Sequence, residues 1–81
     1  MDFMKIALKL ADEANGLTSP NPPVGAVIVS DGVIVGKGST QSVGHDHAEI
    51  VALKMARNLA QNATLYTVSY THLTLPTICS V

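Results

Sequence analysis

Apolar residues near the start of the chain fall at Met4, Ala7, Leu8, Ala11 and Ala14, while Lys5, Lys9, Asp12 and Glu13 form a separate stripe. Spacings of three and four are those of an amphipathic helix, which the pattern predicts from residue 2 to about 15. Asn15-Gly16 supplies its stop, because glycine after a helix accepts the left-handed turn. The pattern then changes. Val24-Gly25-Ala26-Val27-Ile28-Val29 has no polar side chain, as expected of a strand covered on both faces. Ser30-Asp31-Gly32 predicts a tight turn, since Asp-Gly between apolar runs is a hairpin signal. Val33-Ile34-Val35 predicts the returning strand, with Gly36-Lys37-Gly38 read as a loosening of its end. These two strands are expected to be central and antiparallel.

After a polar connection over residues 39–45, a second helix is predicted from Asp46 or His47 to about Gln61. Lys54, Arg57, Asn58 and Gln61 leave it a narrow polar stripe, and Ile50, Val51, Leu53, Ala56, Leu59 and Ala60 occupy most of the remainder. A helix so apolar is expected to be largely buried against the sheet. Ala63-Thr64-Leu65-Tyr66 begins a third strand. The order αββαβ implies an α/β domain with helices layered on a sheet. From Val68 to Val81 the chain carries no Asp, Glu, Lys, Arg or Gly. The Ser/Thr alternation there fits an edge strand whose second half Pro76 weakens. These residues also resemble an in-frame translation of a transposon-type sequencing adapter. On that reading the native information ends near Thr67, and 68–81 is a non-native tail.

Composition narrows the class. Eighty-one residues allow one small domain, and with three aromatic residues its core has to be built from Val, Ile, Leu and Ala. A net charge of −1 provides no electrostatic footprint for nucleic acid. The single Cys79 has no internal disulfide partner, which fits a reducing compartment. The N-terminal helix mixes charges among its apolar residues, unlike a signal peptide, and no window reaches the apolar length of a membrane span. A cytoplasmic location is expected.

Two segments carry candidate chemistry. In Thr18-Ser19-Pro20-Asn21-Pro22-Pro23 the prolines hold Asn21 in a stiff, extended stretch. Asn21 is then either an ordinary turn residue or an amide held out toward a ligand. At the second helix, His47-Ala48-Glu49 forms an H-x-E pair, half of the zinc-deaminase signature whose other half is P-C-x-x-C. Zinc with three protein ligands and an open position makes hydroxide at neutral pH, and a carboxylate outside the ligand set carries the proton to departing ammonia. Glu49 lies about 200° round the helix from His47, toward the apolar side. Helix initiation offers a second explanation: Asp46 as N-cap with Glu49 three residues on resembles a capping box. His47 can then be an ordinary, partly exposed histidine, and His45 a loop residue without a role.

Taken in order, Thr18 to Val29, then Gly38, Thr40-Gln41 and Gly44, then His47-Ala48-Glu49 through Ala52-Leu53 closely resemble the N-terminal deaminase domain of bifunctional riboflavin-biosynthesis deaminase/reductases. The resemblance spans Met1 to about Thr67. It implies a cytidine-deaminase-like α/β/α fold, here incomplete. It also implies Zn2+ as cofactor, with His47 a metal ligand, Glu49 the catalytic proton carrier, and Asn21 and Ala48 in contact with substrate. The implied reaction replaces the ring amino group of a diaminopyrimidinone ribosylamino phosphate by oxygen and releases ammonia. A fused reductase domain in the intact protein is implied too. The family continues after the third strand into a Glu-Pro-Cys segment whose two cysteines complete the zinc site. This chain has Val68-Ser69-Tyr70 instead, so as written it is expected to bind zinc feebly and to be inactive. A tRNA adenosine deaminase shares the Pro-Val-Gly-Ala-Val and His-Ala-Glu stretches, and a non-catalytic fragment is the reading outside the enzyme class.

Overall fold

Asp2 starts the first helix. Its carboxylate accepts from the backbone N–H groups of Met4 (3.1 Å) and Lys5 (3.2 Å), satisfying two donors that a helix start leaves without internal partners. The computed structural model of the chain describes residues 2–14, 23–40, 47–70 and 74–80. Helix α1 spans Phe3–Glu13, strands β1 and β2 Val24–Ser30 and Val33–Ser39, and helix α2 Ala48–Ala56. A short 3-10 turn at Arg57–Ala60 leads to β3 (Thr64–Tyr70) and β4 (Thr74–Ser80). The Asn15-Gly16 stop lies outside the described residues.

The four strands form one antiparallel sheet in the order β2-β1-β3-β4. β1 is interior and buried along its length apart from its two ends. β2 is an edge strand, which corrects the expectation that both members of the hairpin would be central. Asp31 and Gly32 both take positive φ (52° and 77°), the twist of a two-residue I′ hairpin turn. Next to it the register slips between Val29↔Ile34 and Ile28↔Gly36, leaving Val35 as the extra residue of a β-bulge.

Period-2 alternation along β1 sorts the core into two layers, one on each side of the sheet. Val27 and Val29 join Ala7 and Val68 beneath α1, with the Phe3 and Tyr66 rings 5.5 Å apart beside them. Ala26 and Ile28 join Ala48, Ala52, Ala56, Ala60 and Ala63 beneath α2. Helix, sheet and helix are therefore stacked as the α/β/α reading requires. In α1 the alanines are buried and Lys5, Lys9, Asp12 and Glu13 are exposed, as the periodicity predicts.

Helix α2 departs from expectation in three ways. It begins at Ala48, with His47 as its N-cap, and it ends at Ala56 because Arg57 turns to φ 54° and ψ −127°. It is not largely buried either. Its sheet-facing stripe is alanine at every fourth position, whereas Ile50, Met55 and Leu59 (in the turn that follows) are exposed. Gly36 and Gly38 explain why alanine suffices. Neither loosens β2, which runs on through Ser39; both are buried beneath the helix. A Cβ on Gly38 would lie 2.5 Å from the Ala48 carbonyl oxygen and 2.8 Å from Val51 Cβ, and one on Gly36 would strike the Ala52 carbonyl. With no side chain on the strand, the helix backbone rests almost directly on the sheet. Gly25 serves α1 in the same way, since a Cβ there would collide with the Ala7 carbonyl. No helix among the described residues is long and apolar enough to cross a membrane.

Candidate active site

The glycine-set contact decides where the mouth of α2 lies. Because Gly38 sits under Ala48, the first turn of the helix is pinned over the end of β2, and His47 and Glu49 flank the pinned residue. His47 is exposed, Ala48 is fully buried and Glu49 is half-buried. The His47 carbonyl accepts the N–H of Val51 at 3.0 Å, the first bond of the helix, but its imidazole makes no capping bond. The capping-box reading needs correction on this point. With His47 as N-cap, Glu49 is the second helical residue and not the third, one step short of the position from which a box glutamate reaches back. Its charge still complements the helix N-terminus. Among the described residues, neither side chain is engaged in initiating the helix.

Asn21, His45 and Asp46 lie outside the described residues. Described residues next to these segments are bonded to one another. Val24, three residues after Asn21, is bound to Thr40, the last described residue before His47. Thr40 N–H donates to the Val24 carbonyl (2.9 Å), the Val24 N–H donates to Thr40 Oγ1 (2.7 Å), and that hydroxyl donates to the Val24 carbonyl (3.2 Å). The sequence pattern assigned no role to Thr40, since a threonine at a strand end is unremarkable there.

Cys79 can be placed by register. It pairs with Leu65, in the row that continues through Ile28 to Gly36, two residues along β2 from the Gly38 position beneath Ala48. β4 is also three strand spacings from β2, so Cys79 lies on the order of 15 Å from the helix mouth. No group of three His, Cys, Asp or Glu residues able to hold a metal ion occurs among the described residues. Among the described residues, His47 therefore lacks the companions that a three-ligand catalytic zinc requires.

Comparison with known proteins puts this partial site in context. The model of the cytidine and deoxycytidylate deaminase zinc-binding region matches residues 1–79. The chain belongs to that deaminase family. Within it, the chain is similar to the riboflavin biosynthesis proteins PYRD, chloroplastic, of Zea mays and RibD of Escherichia coli. Each is 53% identical over 64 residues, 79% of this chain and 16% and 17% of those proteins. The chain therefore spans about a sixth of the length of these curated relatives. Among solved structures, Acinetobacter baumannii RibD (form 2) aligns with a TM-score of 0.79 and 38% identity over 91% of this chain and 22% of that one. A Thermotoga maritima protein described as a diaminohydroxyphosphoribosylaminopyrimidine deaminase/5-amino-6-(5-phosphoribosylamino)uracil reductase aligns with a TM-score of 0.74 and 44% identity over 80% of this chain and 20% of that one. The partial α/β/α layering is thus the start of a deaminase fold.

Proposed function

We propose that residues 1–67 are the N-terminal part of a zinc-dependent deaminase domain acting on a diaminohydroxyphosphoribosylaminopyrimidine in riboflavin biosynthesis. The observation that carries this reading is the His47-Ala48-Glu49 turn, pinned over β2 by Gly38, in a chain 53% identical over 64 residues to riboflavin-biosynthesis proteins. The reaction is hydrolysis: water enters at the ring carbon, the carbon–nitrogen bond breaks, and the amino group leaves as ammonia. Glu49 takes a proton from the attacking water and delivers it to the departing nitrogen. Asn21 holds the substrate; Ala48, expected to touch it too, is instead fully buried against β2 and only sets the height of the turn. His47 is the one zinc ligand this stretch supplies, and the described donors do not fit zinc without additional ligands.

Those missing ligands belong, on the same proposal, to the native continuation beyond Thr67, with 68–81 a non-native tail and a reductase domain fused further on. The Thermotoga maritima relative, described as both deaminase and reductase, supports the fusion. A cytoplasmic location and a small-molecule partner, without nucleic acid or membrane, complete the reading, and the net charge of −1 supports it. The decisive experiment begins with the genomic sequence across codons 66–70. The intact product is expected to encode two cysteines soon after β3, bind about one zinc per chain and release ammonia from the pyrimidine substrate. Glu49→Gln should abolish that release while leaving zinc in place. A product without the cysteine pair, or with undiminished activity in Glu49→Gln, refutes the assignment, and activity on tRNA adenosine alone would redirect it.

A further inference from the structure

We propose that Gly38 is a positioning residue for this deamination, its missing side chain fixing the height at which α2 presents His47 and Glu49; the inference rests on the assignment above. Gly36, just as crowded, takes no part. β2 and α2 meet at two points. At one, a Cβ on Gly38 would lie 2.5 Å from the Ala48 carbonyl oxygen, 2.8 Å from Val51 Cβ and 2.9 Å from the Ala52 amide nitrogen. At the other, a Cβ on Gly36 would strike the Ala52 carbonyl and lie 2.9 Å from Ala56 Cβ. Two residues of a strand advance ~6.6 Å and four residues of a helix ~6.0 Å, so the two glycines keep step with alanines one helical turn apart. The helix therefore has two separate seats, and only the one at Gly38 lies under the turn that carries the candidate chemistry.

His47 and the half-buried Glu49 are the chain neighbours of Ala48, which is fully buried on its glycine seat. Residues four apart share a helix face. Glu49 thus lies on the flank of Leu53, which packs against the core beneath α2, whereas Val51 lies on the flank of the exposed Met55. Raising the first turn by the roughly 1 Å that a Cβ on Gly38 demands carries Glu49 away from the sheet together with Ala48. A misplacement of about 1 Å costs on the order of a hundredfold in rate. A Cβ on Gly36 instead raises the far end of α2 and tilts the helix about the Gly38 contact, which leaves the mouth in place.

The test uses the complete gene product with its native continuation, comparing Gly38→Ala with Gly36→Ala, each assayed at the same interval below its own Tm. Both should lose stability, Gly36→Ala at least as much because its clash is the tighter. Only Gly38→Ala should lose kcat for ammonia release from the pyrimidine ribosylamino phosphate, by about a hundredfold with KM within about threefold. Gly36→Ala should keep kcat within about threefold of wild type. In the wild type the Val51 amide, which makes the first bond of the helix to the His47 carbonyl, should exchange as slowly as the amides of Leu53 and Lys54, although helix ends ordinarily fray. Gly38→Ala alone should speed that exchange about tenfold; if this variant does not fold, the wild-type exchange decides. An active wild type whose kcat falls equally in the two variants, or in neither, overturns the role of Gly38 alone, as does a Val51 amide that exchanges like a frayed end. A wild type that releases no ammonia overturns the functional assignment, and the role of Gly38 falls with it.

Discussion

Replacing Gly38 by alanine tests the contact on which the placement of the site depends. The added Cβ would lie 2.5 Å from the Ala48 carbonyl oxygen, 2.8 Å from Val51 Cβ and 2.9 Å from the Ala52 amide nitrogen. Two of the three are backbone atoms of α2, so no side chain can swing aside. Ordinary contact begins at 3.4 Å, and the helix would have to lift by roughly 1 Å. A gap of that size forfeits up to half the dispersion energy across the Ala48, Ala52 and Ala56 stripe, and overpacking of this kind costs ~1–3 kcal/mol. The upper part of that range applies, because the obstruction is rigid. Gly38 does not occupy the left-handed region, so alanine adds no backbone strain and recovers ~0.5–1 kcal/mol of chain entropy. The net loss is about 2 kcal/mol, which for a domain of this size lowers Tm by roughly 10–15 °C. Thermal unfolding followed by circular dichroism would measure it, with exposed Lys37→Ala as a control expected within ~0.5 kcal/mol of wild type. A Gly38→Ala chain melting within ~2 °C of wild type would refute the reasoning, and with it the claim that β2 sets the height of α2.

Other outcomes follow from single contacts. Asp2→Ala removes the acceptor of two helix-start N–H groups and should destabilise the chain by ~1 kcal/mol, while Asp2→Asn should recover most of it; urea denaturation distinguishes the two. Arg57→Gly should raise stability by ~1 kcal/mol, because φ 54° with ψ −127° strains any residue with a Cβ, and a lower denaturation midpoint would contradict this. Ile28→Ala, in the fully buried interior of β1, should cost ~2–5 kcal/mol. Leu59→Gln, at a position 62% exposed, should stay within ~0.5 kcal/mol of wild type in this chain. An equal loss at both positions in a chemical-denaturation series would mean that the outer side of the α2 region is buried after all.

Much of the architecture is legible along the chain because its signals are local. The three- and four-residue spacing of α1, the unbroken apolar run of β1 and the Asp31-Gly32 turn each reflect constraints within a few residues. The H-x-E pair is likewise local, and its order after the Pro20–Pro23 segment is what marks the family. Hydrophobic content is a poor guide to the burial of α2. Alanine, among the least hydrophobic of its residues, makes the contact, and Ile50 and Met55 face outward. Nor does composition reveal the tie at Thr40, whose partner is sixteen residues away.

The order of elements and the two-sided core were determined by sequence alone, and His47 and Glu49 are nominated by it, since periodicity and motif order survive in one dimension. Two things were decided only in three dimensions: that Gly36 and Gly38 form the bed of a helix rather than a frayed strand end, and that Thr40 is bonded to Val24. Each depends on which backbones approach across the sheet. That approach is set by strand register and by the absence of Cβ atoms at the crossing, and neither can be read from the spacing of residues along a chain.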